Sequence, residues 1–208
     1  IPGAIAQAFY IAQTGRPGPV LLDITKDAQF GEVDFEYKKC TKIRSYLPEI
    51  PVDPFKVKEA AELIDASQKP LLLFGQGVVI ARAEKELRDF VEKTGIPAAW
   101  TLLGLSALPT DHPLNVGMLG MHGNYGPNIK TNEADLIIAV GMRFDDRVTG
   151  KVSAYAKKAK VIHLDIDPAE VSKIIKADVA VIGDAAKSLR MLTANVKPNT
   201  HEAWVKEF

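Results

Sequence analysis

The 208-residue sequence carries 26 Lys plus Arg against 26 Asp plus Glu, with 47% apolar and 25% charged residues. This balance suits a folded core and leaves no excess positive field for a polyanion, so nucleic acid is not expected as a main partner. A lone cysteine excludes an internal disulfide, and no apolar run reaches the roughly 20 residues of a membrane helix or resembles a secretory leader. In chain order, the first pattern is helical: Pro2 suits a first turn, and Ile5, Phe9 and Ala12 share one stripe before Gly15. After the turn Arg16-Pro17-Gly18-Pro19, Val20 to Thr25 reads as a short buried parallel strand. One helix and one strand make no domain, so residues 1–29 are expected to close a preceding α/β domain or to dock on one. Residues 30–52 have no sustained period and read as a linker, in which Cys40, among Lys38, Lys39 and Lys42, is a solvated position.

A second domain is expected over 53–195. Asp53 is placed to cap a helix with Pro54 in its first turn and Val57, Ala60, Ala61 and Ile64 on one face. Short apolar strands then alternate with helical stretches. The strands are expected at Leu71 to Phe74, Pro97 to Leu102, Leu136 to Val140, Val161 to Asp165 and Val179 to Ile182. The helices are expected at Arg82 to Thr94, Asn128 to Glu133, Pro168 to Lys176 and Ala185 to Ala194, with a long loop of little secondary structure from Leu105 to Gly126. The alternation predicts a doubly wound α/β fold, a parallel sheet covered on both faces. Residues 196–208 show no period and read as a linker.

Ligands of such sheets bind at the carboxyl ends of strands, where strand order reverses. The strand ending at Phe74 runs into Gly75-Gln76-Gly77, either a plain turn or a place where a phosphate approaches the backbone; the third glycine of a dinucleotide fingerprint is replaced by Ile80. Leu119-Gly120-Met121-His122-Gly123 supplies glycines, a thioether and an imidazole suited to covering a flat ring, or is a glycine-rich surface loop. The segment from Gly141 to Gly150 places Arg143, Asp145, Asp146 and Arg147 within five residues, which suits phosphate oxygens unless it is an internal ion-pair knot or the acidic start of a helix. Asp165 is suited to ribose hydroxyls, Asp167 to capping, and Gly183-Asp184 to either a cap or a ligand wall. The repetition across strand ends argues for an extended, phosphate-bearing dinucleotide. His112, His122, His163 and His201 are scattered without metal-ligand spacing, and no nucleophile elbow or Walker A stretch occurs, so no metal site is expected.

The stretches from Gly15 to Asp23, Leu119 to Gly123, Ala134 to Gly150 (ADLIIAVGMRFDDRVTG) and His163 to Val171 (HLDIDPAEV) closely resemble the large catalytic subunit of acetolactate synthase, or acetohydroxyacid synthase, nearly end to end. The resemblance implies the six-stranded, Rossmann-like central domain of a thiamine-diphosphate enzyme that decarboxylates pyruvate and joins the two-carbon unit to a second 2-oxo acid, pyruvate or 2-oxobutyrate, in branched-chain amino-acid biosynthesis. It implies FAD without a net redox role, lined by Arg16, Gly75, Gly77, Thr101, Leu102, Leu119, Gly120, Met121, His122, Gly141, Met142, Arg143, Asp145, Arg147, Val148, Asp165, Ile166, Gly183 and Asp184. Met121, His122, Asp146 and Arg147 would face the substrate channel, Arg147 meeting the carboxylate of the second oxo acid.

By the same resemblance, residues 1–29 would end a pyrimidine-binding domain, and thiamine diphosphate and Mg2+ would be held by domains absent here, together with the catalytic glutamate. The piece alone is therefore expected to be inactive. A second catalytic subunit, in a homodimer or tetramer, a small regulatory subunit and a cytoplasmic or organellar location are further expectations. The alternatives are another thiamine-diphosphate carboligase, such as glyoxylate carboligase, and a free-standing NAD-dependent oxidoreductase, against which the incomplete glycine fingerprint counts.

Overall fold

A computed structural model describes all 208 residues, which divide into two compact units, Ile1–Ile50 and Pro51–Phe208. In the first unit α1 spans Pro2–Gln13, with proline in its first turn, and α2 spans Lys26–Phe30. Tyr46 closes the end of α1: its hydroxyl donates to the Thr14 carbonyl (2.9 Å), and its ring meets Tyr10 edge-on at 6.0 Å. The expected strand at Val20–Thr25 does not form. No other strand pairs with it, and Leu21 is 92% exposed. An apolar run alone does not make a strand, because its backbone groups need a hydrogen-bonded neighbour.

The second unit opens with α3 (Pro54–Ala66), capped by Asp53, whose carboxylate accepts from the Phe55 N–H at 2.9 Å. It buries Val57, Ala60, Ala61 and Ile64. There follow β1 (Pro70–Phe74), α4 (Gln76–Ile80), α5 (Glu84–Thr94), β2 (Ala98–Trp100), a 3-10 turn (Leu102–Gly104), β3 (Asn115–Met118) and α6 (Tyr125–Glu133). The series continues with β4 (Leu136–Val140), α7 (Asp146–Thr149), β5 (Lys160–Asp165), β6 (Val179–Ile182), α8 (Ala185–Asn195) and α9 (Glu202–Val205).

The six strands form one all-parallel sheet in the order β3-β2-β1-β4-β5-β6. Alternation along each strand divides the core. Leu72, Phe74, Ile138, Val140, Ile162 and Leu164 pack toward one layer with Val57, Ile64, Leu87, Phe90 and Leu189 of the helices. Leu71, Leu73, Ile137, Ala139 and Val161 pack on the other, with Phe144, Tyr155 and Trp204. Both faces are covered, which is why these strands are apolar throughout rather than alternating. The doubly wound expectation holds.

Three expectations about elements are corrected. The helix expected over Pro168–Lys176 is a series of turns: Asp167 makes the cap contact expected of it, accepting from Ala169 N at 2.9 Å, but Ser172 stands in the left-handed region at φ +59° and breaks the run, its Oγ accepting from Ala177 N at 3.1 Å. The loop 105–126 contains β3, a half-buried edge strand too short and too glycine-bearing to give an alternating signal. Residues 196–208 are not a bare linker. Trp204 is 2% exposed and donates from its indole N–H to the Pro70 carbonyl at 2.8 Å, while Lys69 and Lys130 lie over its ring at 4.9 and 5.4 Å.

Candidate functional site

Chain order runs outward in both directions from β1, to β2 on one side and β4 on the other, so a crevice opens at the carboxyl ends of these two neighbours. Gly75-Gln76-Gly77 leaves β1 there, and Gly141-Met142-Arg143 leaves β4. The two turns touch backbone to backbone. Gly75 N donates to the Val140 carbonyl (3.0 Å) and Gly77 N to the Gly141 carbonyl (2.8 Å). A β-carbon on Gly77 would stand 2.6 Å from the Gly141 Cα, and one on Gly75 would stand 2.6 Å from the Gly141 oxygen. The glycines therefore serve this close approach, and the result is a ridge without side chains across the switch point. Gly104, in the 3-10 turn after Thr101, abuts the same ridge, and Leu102 stands 68% exposed beside it.

Beyond β4, Met142 and Phe144 turn into the core while Arg143 and Arg147 remain exposed. Asp145 caps α7: its carboxylate accepts from Arg147 N at 3.1 Å. The Arg143 guanidinium lies 3.7 Å from Asp145 and is 57% exposed, and the Arg147–Asp146 pair at 3.1 Å is more than 70% exposed on both sides. Pairs of this kind hold their partners weakly, so both guanidinia can turn to an anion. Both alternatives read from the sequence are thus present in part: each arginine has an exposed internal carboxylate partner, and Asp145 starts a helix.

The loop from Leu119 to Gly123 docks on this segment through Met121 N, which donates to the Arg147 carbonyl at 2.7 Å. Leu119 is buried, whereas Met121 (62%) and His122 are exposed. A cavity of about 420 Å3 lies between this loop, α6 and α7, lined by Met121, Asn128, Ile129, Arg147, Val148 and Tyr155 among others. The buried Tyr155 hydroxyl has no hydrogen-bond partner, and burial pushes its pKa well above the ordinary tyrosine value.

At the end of β5, Asp165 is only 10% exposed and accepts from Asp167 N, while Ile166 is half-buried. Gly183 N, at the end of β6, donates to the Asp165 carbonyl (2.9 Å), and Asp184 caps α8 by accepting from Lys187 N (2.9 Å). The candidates of β2, β1, β4 and β5 thus stand at the carboxyl ends of four neighbouring strands, whereas Asp184 also has a capping role. Leu119 and Met142 can offer a ligand mainly backbone. Arg16 belongs to the first unit, in the turn after α1.

Sequence reasoning missed His163. Its ring is buried at the end of β5, with Nε2 3.0 Å from the Met142 carbonyl and 3.7 Å from the Asp165 carboxylate, edge-on to Phe144 at 5.2 Å. A carbonyl only accepts, so Nε2 carries the proton and Nδ1, which has no partner, is the bare nitrogen. Burial pushes this imidazole below its ordinary pKa despite the opposing Asp165 and Glu170 carboxylates. The missed signal is its position: a polar residue inside an otherwise apolar parallel strand.

Residues 57–192 match the model for the thiamine pyrophosphate enzyme central domain. The chain belongs to that family. The chain is 46% identical over 202 residues to the acetolactate synthase large subunit of Corynebacterium glutamicum, covering 97% of the chain and 32% of that protein. It is 42% identical to chloroplastic acetolactate synthase 1 of Zea mays, covering 96% of the chain and 31% of the relative. Its structure superposes with a TM-score of 0.74, at 27% identity, on a thiamin diphosphate-dependent enzyme from Mycobacterium smegmatis, covering 96% of this chain and 38% of that one. The chain therefore spans about a third of the length of the curated relatives it matches. No helix is long and apolar enough to cross a membrane.

Proposed function

We propose that this chain is the central, FAD-holding portion of an acetolactate synthase large subunit. The observation that carries the reading is the side-chain-free ridge at the β1–β4 switch point, flanked by exposed guanidinia on one strand end and a nearly buried carboxylate on the next. FAD fits this donor set. Its diphosphate would meet Arg143 as a charge-assisted acceptor, a hydroxyl would donate to Asp165, and the backbone of Gly75, Gly77, Gly141 and Met142 would lie along the extended cofactor. Thr101, Leu102, Leu119, Gly120, Val148, Ile166, Gly183 and Asp184 would complete the lining.

Met121, His122, Asp146 and Arg147 would face the oxo acids, with the Arg147 guanidinium pairing with the second substrate's carboxylate through its fork of donors. In the parent enzyme thiamine diphosphate would supply the electron sink for decarboxylation, held with Mg2+ by residues outside this chain. Residues 1–29 would then close a pyrimidine-binding domain, 30–52 link it to the central domain of 53–195, and 196–208 lead onward. A second catalytic subunit, a regulatory subunit and a cytoplasmic setting belong to the same reading. The test is product formation from pyruvate by the intact protein supplied with thiamine diphosphate, Mg2+ and FAD. Acetolactate is the expected product; consumption of pyruvate without carbon–carbon bond formation would contradict the reading.

A further inference from the structure

The residues proposed to meet the oxo acid lie on the loop 119–123 and in the first turn of α7, and the structure contains a device that fixes one against the other. Asn128, in the second turn of α6, grips Gly120 at two points. The Gly120 N–H donates to Asn128 Oδ1 at 2.8 Å, and Asn128 Nδ2 donates to the Gly120 carbonyl at 2.9 Å and to the Asn124 carbonyl at 3.0 Å. An N–H only donates and a carbonyl only accepts, so the carboxamide has a single workable orientation. Gly120 has φ of +99°, and a β-carbon there would lie 2.7 Å from the Arg147 carbonyl oxygen. The next amide, Met121 N, donates to that same oxygen at 2.7 Å. An unbroken series of contacts thus runs from α6 through Gly120 to Arg147. One step back, Asn124 repeats the pattern on Met118, accepting from its N–H at 2.8 Å and donating its own N–H to the Met118 carbonyl at 2.7 Å.

We infer that Asn128 is the positioning residue that sets the Met121–His122 loop against Arg147, and with it the geometry offered to the second 2-oxo acid. The functional half of this inference rests on the proposed function; the structural half does not. Asparagine suits the position because donor and acceptor must stand side by side at one length. Aspartate has the shape but no donor, alanine has neither group, and glutamine is a methylene too long.

The test uses Asn128→Asp and Asn128→Ala in the intact protein, read by amide exchange at Gly120 and Met121, corrected for intrinsic rates. In N128D the oxygen replacing Nδ2 faces the Gly120 and Asn124 carbonyls, and protonating the carboxylate restores the donor. The ionisable groups around it are Asp146, Arg147 and Tyr155, which share its cavity, with His122 on the loop and Lys130 on its own helix. Protection at the two amides is expected to fall about tenfold in both variants at neutral pH. In N128D alone it should return as pH is lowered through the carboxylate range, roughly 4 to 5. Wild-type protection in N128D at neutral pH, or loss without acid recovery, overturns the clamp. The KM for the second oxo acid should rise about tenfold at neutral pH, with FAD affinity changed less. An unchanged KM beside lost protection overturns the functional half. A wild-type protein that neither binds FAD nor uses oxo acids overturns the proposed function, and the exchange result still decides the clamp.

Discussion

Arg143 and His163 make opposite demands on their surroundings. Arg143 has only a long, exposed contact with Asp145, so its guanidinium has little to lose by turning to a phosphate. Arg143→Ala is expected to weaken FAD binding by about 1.5–3 kcal/mol, the range for a hydrogen bond to a charged group, read as roughly a tenfold to 150-fold rise in Kd. An unchanged Kd would assign Arg143 to Asp145 instead. His163 is buried and neutral, its pKa held below the unfolded value of about 6.5. The unfolded chain therefore takes up this proton first as pH falls, and stability declines from about pH 6.5 down to the folded-state pKa, below which the effect is complete. His201 is shifted in the same direction by partial burial and adds to the slope. In urea titrations across this range, His163→Gln should flatten the decline that remains in a His201→Gln background. An unaltered slope would mean that the folded state tolerates a charged His163.

Among elements, the last is the one whose sequence says least and whose packing says most. Trp204 of α9 is buried against the start of β1, edge-on to Phe208 at 5.1 Å, and Glu207 bridges Lys69 (3.2 Å) and Lys130 (2.9 Å). Trp204→Ala is expected to cost about 3 kcal/mol in urea unfolding, within the range for deleting a buried aromatic. A loss under about 1 kcal/mol would make the tail a loosely attached appendage. The strands β1 and β4 were legible because burial on both faces leaves a continuous apolar run, β5 and β6 because each keeps a short apolar core, and α3 because Asp53-Pro54 announces it. The segments Val20–Thr25 and Pro168–Lys176 misled for one shared reason: local pattern does not reveal the competing partner. In the first case no neighbouring strand pairs with the run, and in the second Ser172 turns left-handed and its hydroxyl takes the Ala177 N–H. At the site, the strand-end residues could be read from glycine and charge. The grip of Asn128 on Gly120 could not, since nothing in the spacing of those two residues specifies a contact between them.

For the whole molecule, zero net charge at pH 7 means that no global field draws in an anionic cofactor. Affinity must come from local arrangement: an all-parallel sheet whose order reverses at β1, glycine turns packed too closely for side chains, and cationic groups exposed at one strand end. On the proposed reading this arrangement would take an extended diphosphate; no group of three or more His, Cys, Asp or Glu side chains gathers in the chain to hold a metal ion. The most direct measurement is a titration of the intact protein with FAD, followed by flavin fluorescence, with NAD and ADP as competitors. Saturable binding in the micromolar range or tighter, indifferent to NAD and weakened by Arg143→Ala, is the predicted result. Firm NAD binding at the same crevice, or no flavin binding by the intact protein, would contradict the account.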